Sequence, residues 1–248
     1  IDGREMAPGA AHKDMFLRDG KPVPNASQTG PLASGVPGAL AAYQRALEQC
    51  GSITLARALA PGIKVAADGF EVDKSLADAI REAAKNLNRF EGSRVVFFNA
   101  DGKPYQRGET FVQADLANTY RQIAAHGIDW FYHGPFAEMV GDWMAKNGGI
   151  MTAADFAAYE AKLRTPLEST YRGRKIIGFP PPSSGGVHVA QVLNILEPFD
   201  MSQIGRRDPV EASHIIAEAF KLAFADHAHW LGDADFVNVP RGLIDKDY

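Results

Sequence analysis

The most unusual cluster of reactive groups in the sequence is FPPPSSGGVH, at residues 179–188. Ser183 or Ser184 could act as a nucleophile with His188 as its base, and the following glycine amides could stabilise an oxyanion. The spacing argues against this chemistry, because a nucleophile elbow needs a glycine on each side of the serine, in the pattern GxSxG. We favour a structural role in which the prolines fix an extended approach, a serine caps a helix, and the glycines permit close backbone contact.

A second group of reactive side chains lies near the end of the chain. Asp226, His227 and His229 could be metal ligands, but residues two apart on a helix point in different directions, so the two histidines could share a metal only beyond a helix end. Histidines at a helix C-terminus, where they interact favourably with the helix dipole, are the preferred interpretation. Asp233 and Asp235 form a carboxylate pair beside a glycine, and a solvated or capping loop is preferred there over glycosidase chemistry.

Several motifs that define large enzyme classes do not occur. The sequence contains no GxGxxG, GxxxxGK[ST], HExxH or CxxC pattern, so dinucleotide-binding, nucleotide-hydrolysing and zinc-protease functions have no motif in their favour. The single cysteine, Cys50, permits no internal disulfide and leaves the redox compartment open. Arg4 lies in the segment DGREMAP, and by residue type alone its expected position is an ordinary surface loop.

Composition and charge limit the classes of partner that the sequence favours. The net charge is −4 and the isoelectric point about 6.0, so the sequence provides no basic stripe for nucleic-acid phosphates. Windows 26–44 and 176–196 contain no charged residue, but proline and glycine interrupt both and prevent a continuous membrane-spanning helix. The chain begins at Ile1 without Met or a leader, so we expect an internal piece of a longer product, with any signal peptide upstream.

The elements that would position these residues are mostly helical. Residues 94–98 are predicted to form the clearest strand of the first half, and residues 162–179 a hairpin. Spacing and capping residues predict helices after Pro37 to Gly51, from Thr54 to near Gly69, from Asp73 to Leu87, over 113–125 and 134–146, after Thr152, from Ser184 to Pro198, and from Pro209 to about Trp230.

The predicted fold class is therefore α+β and helix-rich. Its predicted organisation is a loop-rich segment at 1–36 that carries Arg4, a helical domain at 37–160, and a framework of a strand hairpin and helices at 161–248.

Five segments together carry a resemblance that no single motif does. They are DGREMAP at 2–8, PLASGVPGALAAY at 31–43, NGGIMTAADFAAYEAKLRTPL at 147–167, PPPSSGGVHVAQVLNILEPFD at 180–200, and LGDADFVNVP at 231–240. In this order, and over essentially the whole chain, the sequence resembles gamma-glutamyltransferases. Within that family it resembles part of the large subunit.

The resemblance implies an N-terminal nucleophile hydrolase, with an αββα sandwich and a helical large-subunit domain. In that family a precursor cleaves itself, and a threonine at the start of the small subunit attacks the γ-glutamyl amide of glutathione or a related donor, with its own α-amino group as base. The γ-glutamyl group then passes to water, an amino acid or a peptide. The implied partner is the small subunit, the implied location is periplasmic or secreted, and no cofactor is implied.

For individual residues, the resemblance implies one substrate contact. Arg4 matches the arginine that holds the donor α-carboxylate, a role that suits a bidentate guanidinium. The family's paired serines near the oxyanion site are expected in the small subunit, which assigns Ser183 and Ser184 a structural role near the subunit interface. No nucleophile is identified within these residues, so we expect the chain to be inactive alone.

Two alternatives stay open. One is a family member with a different acyl donor, such as a cephalosporin acylase or a capsule polyglutamate transpeptidase, because Arg4 favours a free α-carboxylate without excluding these. The other is a non-catalytic helical scaffold, which predicts that the full gene has no second subunit beginning with threonine.

Overall fold

In the computed structural model, which describes residues 1–248, the chain divides into two compact units, residues 1–162 and 163–248. The predicted three-part division into 1–36, 37–160 and 161–248 stays a prediction about domains. The strands of the first unit are β1 (Leu17–Arg18), β2 (Lys21–Pro22), β3 (Phe70–Glu71) and β4 (Thr110–Phe111). Its helices are α1 (Ala39–Cys50), α2 (Leu55–Asp68), α3 (Lys74–Leu87), α4 (Glu91–Phe97), α5 (Ala114–His126), α6 (Asp129–Tyr132), α7 (Pro135–Asn147) and α8 (Ala153–Ala157).

The second unit consists of one hairpin and three helices. These are β5 (Leu167–Tyr171), β6 (Arg174–Gly178), α9 (Gly185–Leu196), α10 (Met201–Arg207) and α11 (Pro209–Trp230). None of the helices in either unit has both the length and the apolar character required to cross a bilayer.

The predicted helix starts are confirmed at three capping residues. The side chains of Thr54 and Asp73 accept the backbone amide three residues further on, at 3.2 and 2.7 Å, and thereby begin α2 and α3. Thr152 and Asp155 form a reciprocal capping box at the start of α8. Because each cap satisfies an amide that has no partner inside the helix, these positions are set by local chemistry and are readable from sequence.

The predicted strand at residues 94–98 is wrong, because most of this run belongs to helix α4. Its half-buried residues are Ser93, Val96 and Phe97, which have the spacing of one helix face, whereas Val95 is 71% exposed. A short run of apolar residues does not distinguish a strand from a helix by periodicity. The short helices α6 and α10 were not predicted from the sequence.

The predicted hairpin is confirmed as β5 paired antiparallel with β6, from Leu167 opposite Gly178 to Tyr171 opposite Arg174. Its two-residue turn places both Arg172 and Gly173 at positive φ, 49° and 75°, as a type I′ turn requires. The remaining strands form two more two-stranded antiparallel ladders, β1 with β2 and β3 with β4. The predicted helix-rich α+β class is therefore confirmed for the secondary structure of the chain.

Aromatic side chains fill the core of the first unit. One cluster packs around Tyr132 and Phe156, which are 2% and 1% exposed, and it includes Val36 and Tyr159. A separate aromatic group surrounds Phe111 of β4, whose ring contacts those of Phe70, Phe97 and Tyr105 at centroid distances of 5.7, 5.9 and 5.0 Å. The cluster around Tyr132 and Phe156 joins residues that are far apart in the sequence, since Val36 and Tyr159 share this core.

In the second unit, α9 packs against both the hairpin and α11. Val192 and Leu196 of α9 bury their side chains against Ala219 and Ala223 of α11. The start of α9 also comes so close to the hairpin that a Cβ at Gly186 would overlap the carbonyl oxygen of Phe179. The predicted close approach of the helix to a neighbouring backbone is confirmed at Gly186, whereas a Cβ at Gly185 would contact only the Ser183 hydroxyl, at 3.8 Å.

Candidate functional site

Arg4 lies in an extended segment that is hydrogen-bonded at both ends. The backbone of Asp2 pairs with that of Lys162, with N–O distances of 2.7 and 2.9 Å. The backbone of Met6 pairs with that of Val36 at 3.2 and 2.8 Å. Residues 2–6 are therefore held between two other parts of the first unit.

The backbone of Arg4 itself is also fixed. Its amide donates to the carboxylate of Asp2 at 3.0 Å, and its carbonyl oxygen accepts the hydroxyl of Tyr159 at 2.8 Å. The side chain of Arg4 is exposed, and its guanidinium makes no hydrogen bond or ion pair within the chain. A fixed backbone with a free guanidinium is an arrangement that can bind a carboxylate from outside through two parallel hydrogen bonds.

Tyr159 is a neutral hydrogen-bond donor at this site. Burial, together with the neighbouring Tyr132, Asp2 and Glu5, raises the pKa of its phenol to about 12. The phenol therefore keeps its proton at neutral pH and donates it to the Arg4 carbonyl oxygen.

Asp155 connects the end of the same segment to α8. One carboxylate oxygen accepts the amide of Gly9 at 2.7 Å, and the other accepts the amide and hydroxyl of Thr152 at 2.7 and 2.8 Å. Partial burial opposes ionisation of Asp155, but the hydrogen bonds from Gly9 and Thr152 outweigh it and lower its carboxyl pKa. The capping box of α8 thus also anchors the backbone beyond Arg4.

The serines of the PSSGG segment do not form a catalytic pair with His188. No hydrogen bond joins either serine side chain to the imidazole, whose Nε2 is buried without a partner. The ring of His188 lies 4.7 Å from that of Phe224 and 4.8 Å from that of His227, and burial together with His227 lowers its pKa. Ser184 occupies the N-cap position of α9, but its side chain makes no capping hydrogen bond, so the predicted capping contact is wrong.

The histidines near the end of α11 lie within the helix. Because α11 continues through Trp230, His227 and His229 point in different directions, as their spacing predicts for a helix. The carboxylate of Asp226 accepts hydrogen bonds from Gln191 at 2.7 Å and from Tyr248 at 3.1 Å. No three metal-ligating side chains converge in the chain.

The carboxylates of Asp233 and Asp235 have structural partners. Asp233 accepts the backbone amide of Asp235 at 3.0 Å, which caps the loop. Asp235 forms a bidentate ion pair with Arg164 at 3.0 and 2.8 Å. This arrangement agrees with the preferred interpretation of a capping loop rather than a pair of catalytic carboxylates.

The sequence names Arg4 as a candidate but does not identify the residues that hold its backbone. Tyr159 and Asp155 lie about 150 positions further along the chain, and no spacing rule connects them to Arg4. The signal available was indirect, since both fall in one of the segments on which the family resemblance rests.

Comparison with known proteins identifies relatives over the whole chain. The family model described as Gamma-glutamyltranspeptidase matches residues 1–248. The glutathione hydrolase proenzyme of Escherichia coli (strain K12) is 46% identical over 100% of this chain and 43% of the proenzyme. The Acylase ACY 1 proenzyme of Pseudomonas sp. (strain SE83) is 42% identical over 100% of this chain and 46% of that proenzyme.

The fold of the chain also matches a solved structure from this group of proteins. The crystal structure of Helicobacter pylori gamma-glutamyltranspeptidase matches with a TM-score of 0.96 and 43% identity, over the whole of this chain and 71% of the other. The chain spans less than half the length of the two proenzymes that it matches. Since both the sequence match and the fold match extend from the first residue to the last, the chain belongs to the gamma-glutamyltranspeptidase family.

Proposed function

We propose that this chain is the large-subunit part of a gamma-glutamyltransferase that transfers or hydrolyses the γ-glutamyl group of glutathione and related donors. The observation that carries the proposal is the position of Arg4 within a family match that covers all 248 residues. Its backbone is held by hydrogen bonds to Asp2 and Tyr159 and by the backbone bridges at residues 2 and 6, while its guanidinium is free for an external carboxylate.

Arg4 would bind the α-carboxylate of the donor. A guanidinium pairs with both oxygens of a carboxylate in one plane, which fixes the orientation of the glutamyl group as well as its position. With its amino-acid end held in this way, the γ-carbonyl carbon can be presented to a nucleophile at a defined distance.

The nucleophile in this proposal is a threonine at the start of a small subunit made from the same precursor. Its hydroxyl attacks the γ-carbonyl, its α-amino group takes the hydroxyl proton, and the leaving amine receives that proton as the acyl-enzyme forms. Water, an amino acid or a peptide then accepts the γ-glutamyl group and regenerates the threonine. In this scheme the present residues bind the donor and contribute no nucleophile, so they are inactive alone.

The same proposal includes the wider assembly. The β5–β6 hairpin would join the αββα sandwich of an N-terminal nucleophile hydrolase, and the helices of the first unit would form the large-subunit helical domain. Ser183 and Ser184 would have a structural role near the subunit interface. The mature enzyme would be periplasmic or secreted.

An acylase is the second candidate, supported by the 42% identity to Acylase ACY 1 proenzyme. A glutaryl group carries its terminal carboxylate at the same distance from the scissile carbonyl as a γ-glutamyl group does, and lacks only the α-amino group. Arg4 could therefore bind either donor. Discrimination between them must come from groups that bind the α-amino nitrogen.

The experiment that separates the two uses the complete precursor and two substrates. We expect release of the aniline from a γ-glutamyl anilide, and little turnover of a glutaryl-cephalosporin. Turnover of the cephalosporin alone would assign the acylase function. Absence of release from the anilide would contradict the proposed γ-glutamyl chemistry.

A further inference from the structure

Tyr159 makes a buried contact with the backbone of Arg4 that the proposed chemistry does not yet use. The tyrosine is 8% exposed, and its hydroxyl donates to the carbonyl oxygen of Arg4 at 2.8 Å across 155 positions of sequence. The contact reaches the one residue of this chain to which the proposed function assigns a substrate group.

The ring of Tyr159 has little freedom to move. It stacks on the ring of Tyr132 with a centroid distance of 5.7 Å and an angle of 14° between the ring planes. This stacking of rings holds the Tyr159 phenol in the core of the first unit. The hydroxyl of Tyr132 binds different backbone atoms, since it donates to the carbonyl of Pro37 at 2.8 Å and accepts the amide of Ala41 at 3.2 Å.

The space for this phenol depends on a glycine. A Cβ at Gly38 would overlap the Tyr159 hydroxyl and would also crowd the carbonyl oxygen of Gly3. The backbone at 38, the backbone at 3 and the phenol therefore meet at one point, beside Arg4. Glycine at position 38 therefore leaves the space that the phenol needs to reach the Arg4 carbonyl oxygen.

We propose that Tyr159 is a positioning residue for donor binding, acting through the backbone of Arg4. This inference rests on the proposed function. Without the hydroxyl, the Arg4 carbonyl loses its fixed partner, and the guanidinium binds the donor carboxylate from a wider range of positions. The expected consequence is weaker donor binding with little change in the chemical step, because the proposed nucleophile and base lie on other residues.

The test is Tyr159→Phe in the complete precursor, compared with Tyr132→Phe as the matched control. Both variants keep the stacked ring and remove one buried hydroxyl, but the hydroxyl of Tyr132 contacts Pro37 and Ala41, not Arg4. We expect Tyr159→Phe to raise donor KM about fivefold, on the scale of one hydrogen bond, with kcat changed by less than about twofold. Both variants should lower Tm, because each loses buried hydrogen bonding, but Tyr132→Phe should change donor KM by less than about twofold.

A double-mutant cycle with Arg4→Lys tests whether Tyr159 affects donor KM through Arg4. If Tyr159 acts through Arg4, Tyr159→Phe has little further effect on donor KM once Arg4 is lysine. Equal fold-changes in both backgrounds would overturn the positioning role while the proposed function stands, and so would an unchanged KM in Tyr159→Phe.

Hydrogen exchange keeps the inference testable if the precursor turns over no γ-glutamyl donor. We expect faster exchange of the amides in residues 2–6 in folded Tyr159→Phe than in folded Tyr132→Phe. Equal exchange would overturn the positioning role on structural grounds alone. Faster exchange without donor turnover would support the contact and contradict the proposed function.

Discussion

Arg4 combines an anchored backbone with a free side chain, and each property has a separate cause. The anchoring comes from Asp2, Tyr159 and the bridges at residues 2 and 6. The freedom of the guanidinium comes from the absence of any acid paired with it in the chain. Residue type and spacing alone predicted only a surface arginine, because the anchoring residues are distant in sequence. The family resemblance supplied the functional role.

The residue-scale prediction is that Arg4→Lys raises donor KM in the complete enzyme by about ten- to a hundredfold. A lysine keeps the charge but cannot make two parallel hydrogen bonds in one plane, and a hydrogen bond to a charged group contributes about 1.5–3 kcal/mol. Steady-state kinetics with varied donor concentration measures this change. The matched control is Arg57→Lys, an exposed arginine on α2 that should leave donor KM unchanged. An unchanged donor KM in Arg4→Lys would remove Arg4 from the binding site.

At the scale of elements, local chemistry made some structures predictable and left others open. The starts of α2, α3 and α8 followed from Thr54, Asp73 and Thr152, because a cap acts within one helical turn. The run at 94–98 was mispredicted as a strand because its residue types favour strands. In the structure most of the run belongs to helix α4, in which Phe97 packs on Phe111. That packing depends on a partner in a distant strand, which no local pattern reports.

The element-scale prediction concerns Asp155, which both caps α8 and holds Gly9. Asp155→Asn replaces a carboxylate oxygen with a donor, so we expect the free energy of unfolding to fall by about 1–2 kcal/mol and the Gly9 amide to exchange faster. Denaturant unfolding and hydrogen exchange of the complete protein measure both. The matched control is Asp73→Asn, the same substitution at the N-cap of α3, which should leave Gly9 exchange unchanged.

The pH dependence of this effect has a defined sign. The pKa of Asp155 is lowered in the folded state, so its contribution to stability is present above the ordinary aspartate value of 3.8 and is lost as the pH falls through the folded-state pKa. The stability difference between wild type and Asp155→Asn should therefore shrink below pH 3.8. A difference that grows as the pH falls would contradict the proposed hydrogen bonding.

At the scale of the whole molecule, the proposed function assigns donor binding and bond cleavage to different polypeptides. In that proposal Arg4 and the residues that hold its backbone would bind the donor carboxylate, while the threonine and its amine would lie in the part of the precursor that the chain does not span. Its match to only 43% of the Escherichia coli proenzyme leaves room for such a part. An amine can act as base for its own hydroxyl only after the preceding peptide bond is broken, so processing must come before turnover.

The last prediction therefore concerns the order of processing and activity. We expect the complete precursor to yield two polypeptides, of which the second begins with threonine, and replacing that threonine with alanine should abolish both cleavage and γ-glutamyl transfer. Mass spectrometry of the products and anilide turnover measure the two properties. Arg4→Lys should separate them, because cleavage needs no donor carboxylate and should proceed while donor binding weakens. A precursor with no second chain beginning with threonine would instead support the scaffold hypothesis, and loss of cleavage in Arg4→Lys would show that Arg4 serves folding or processing rather than donor binding.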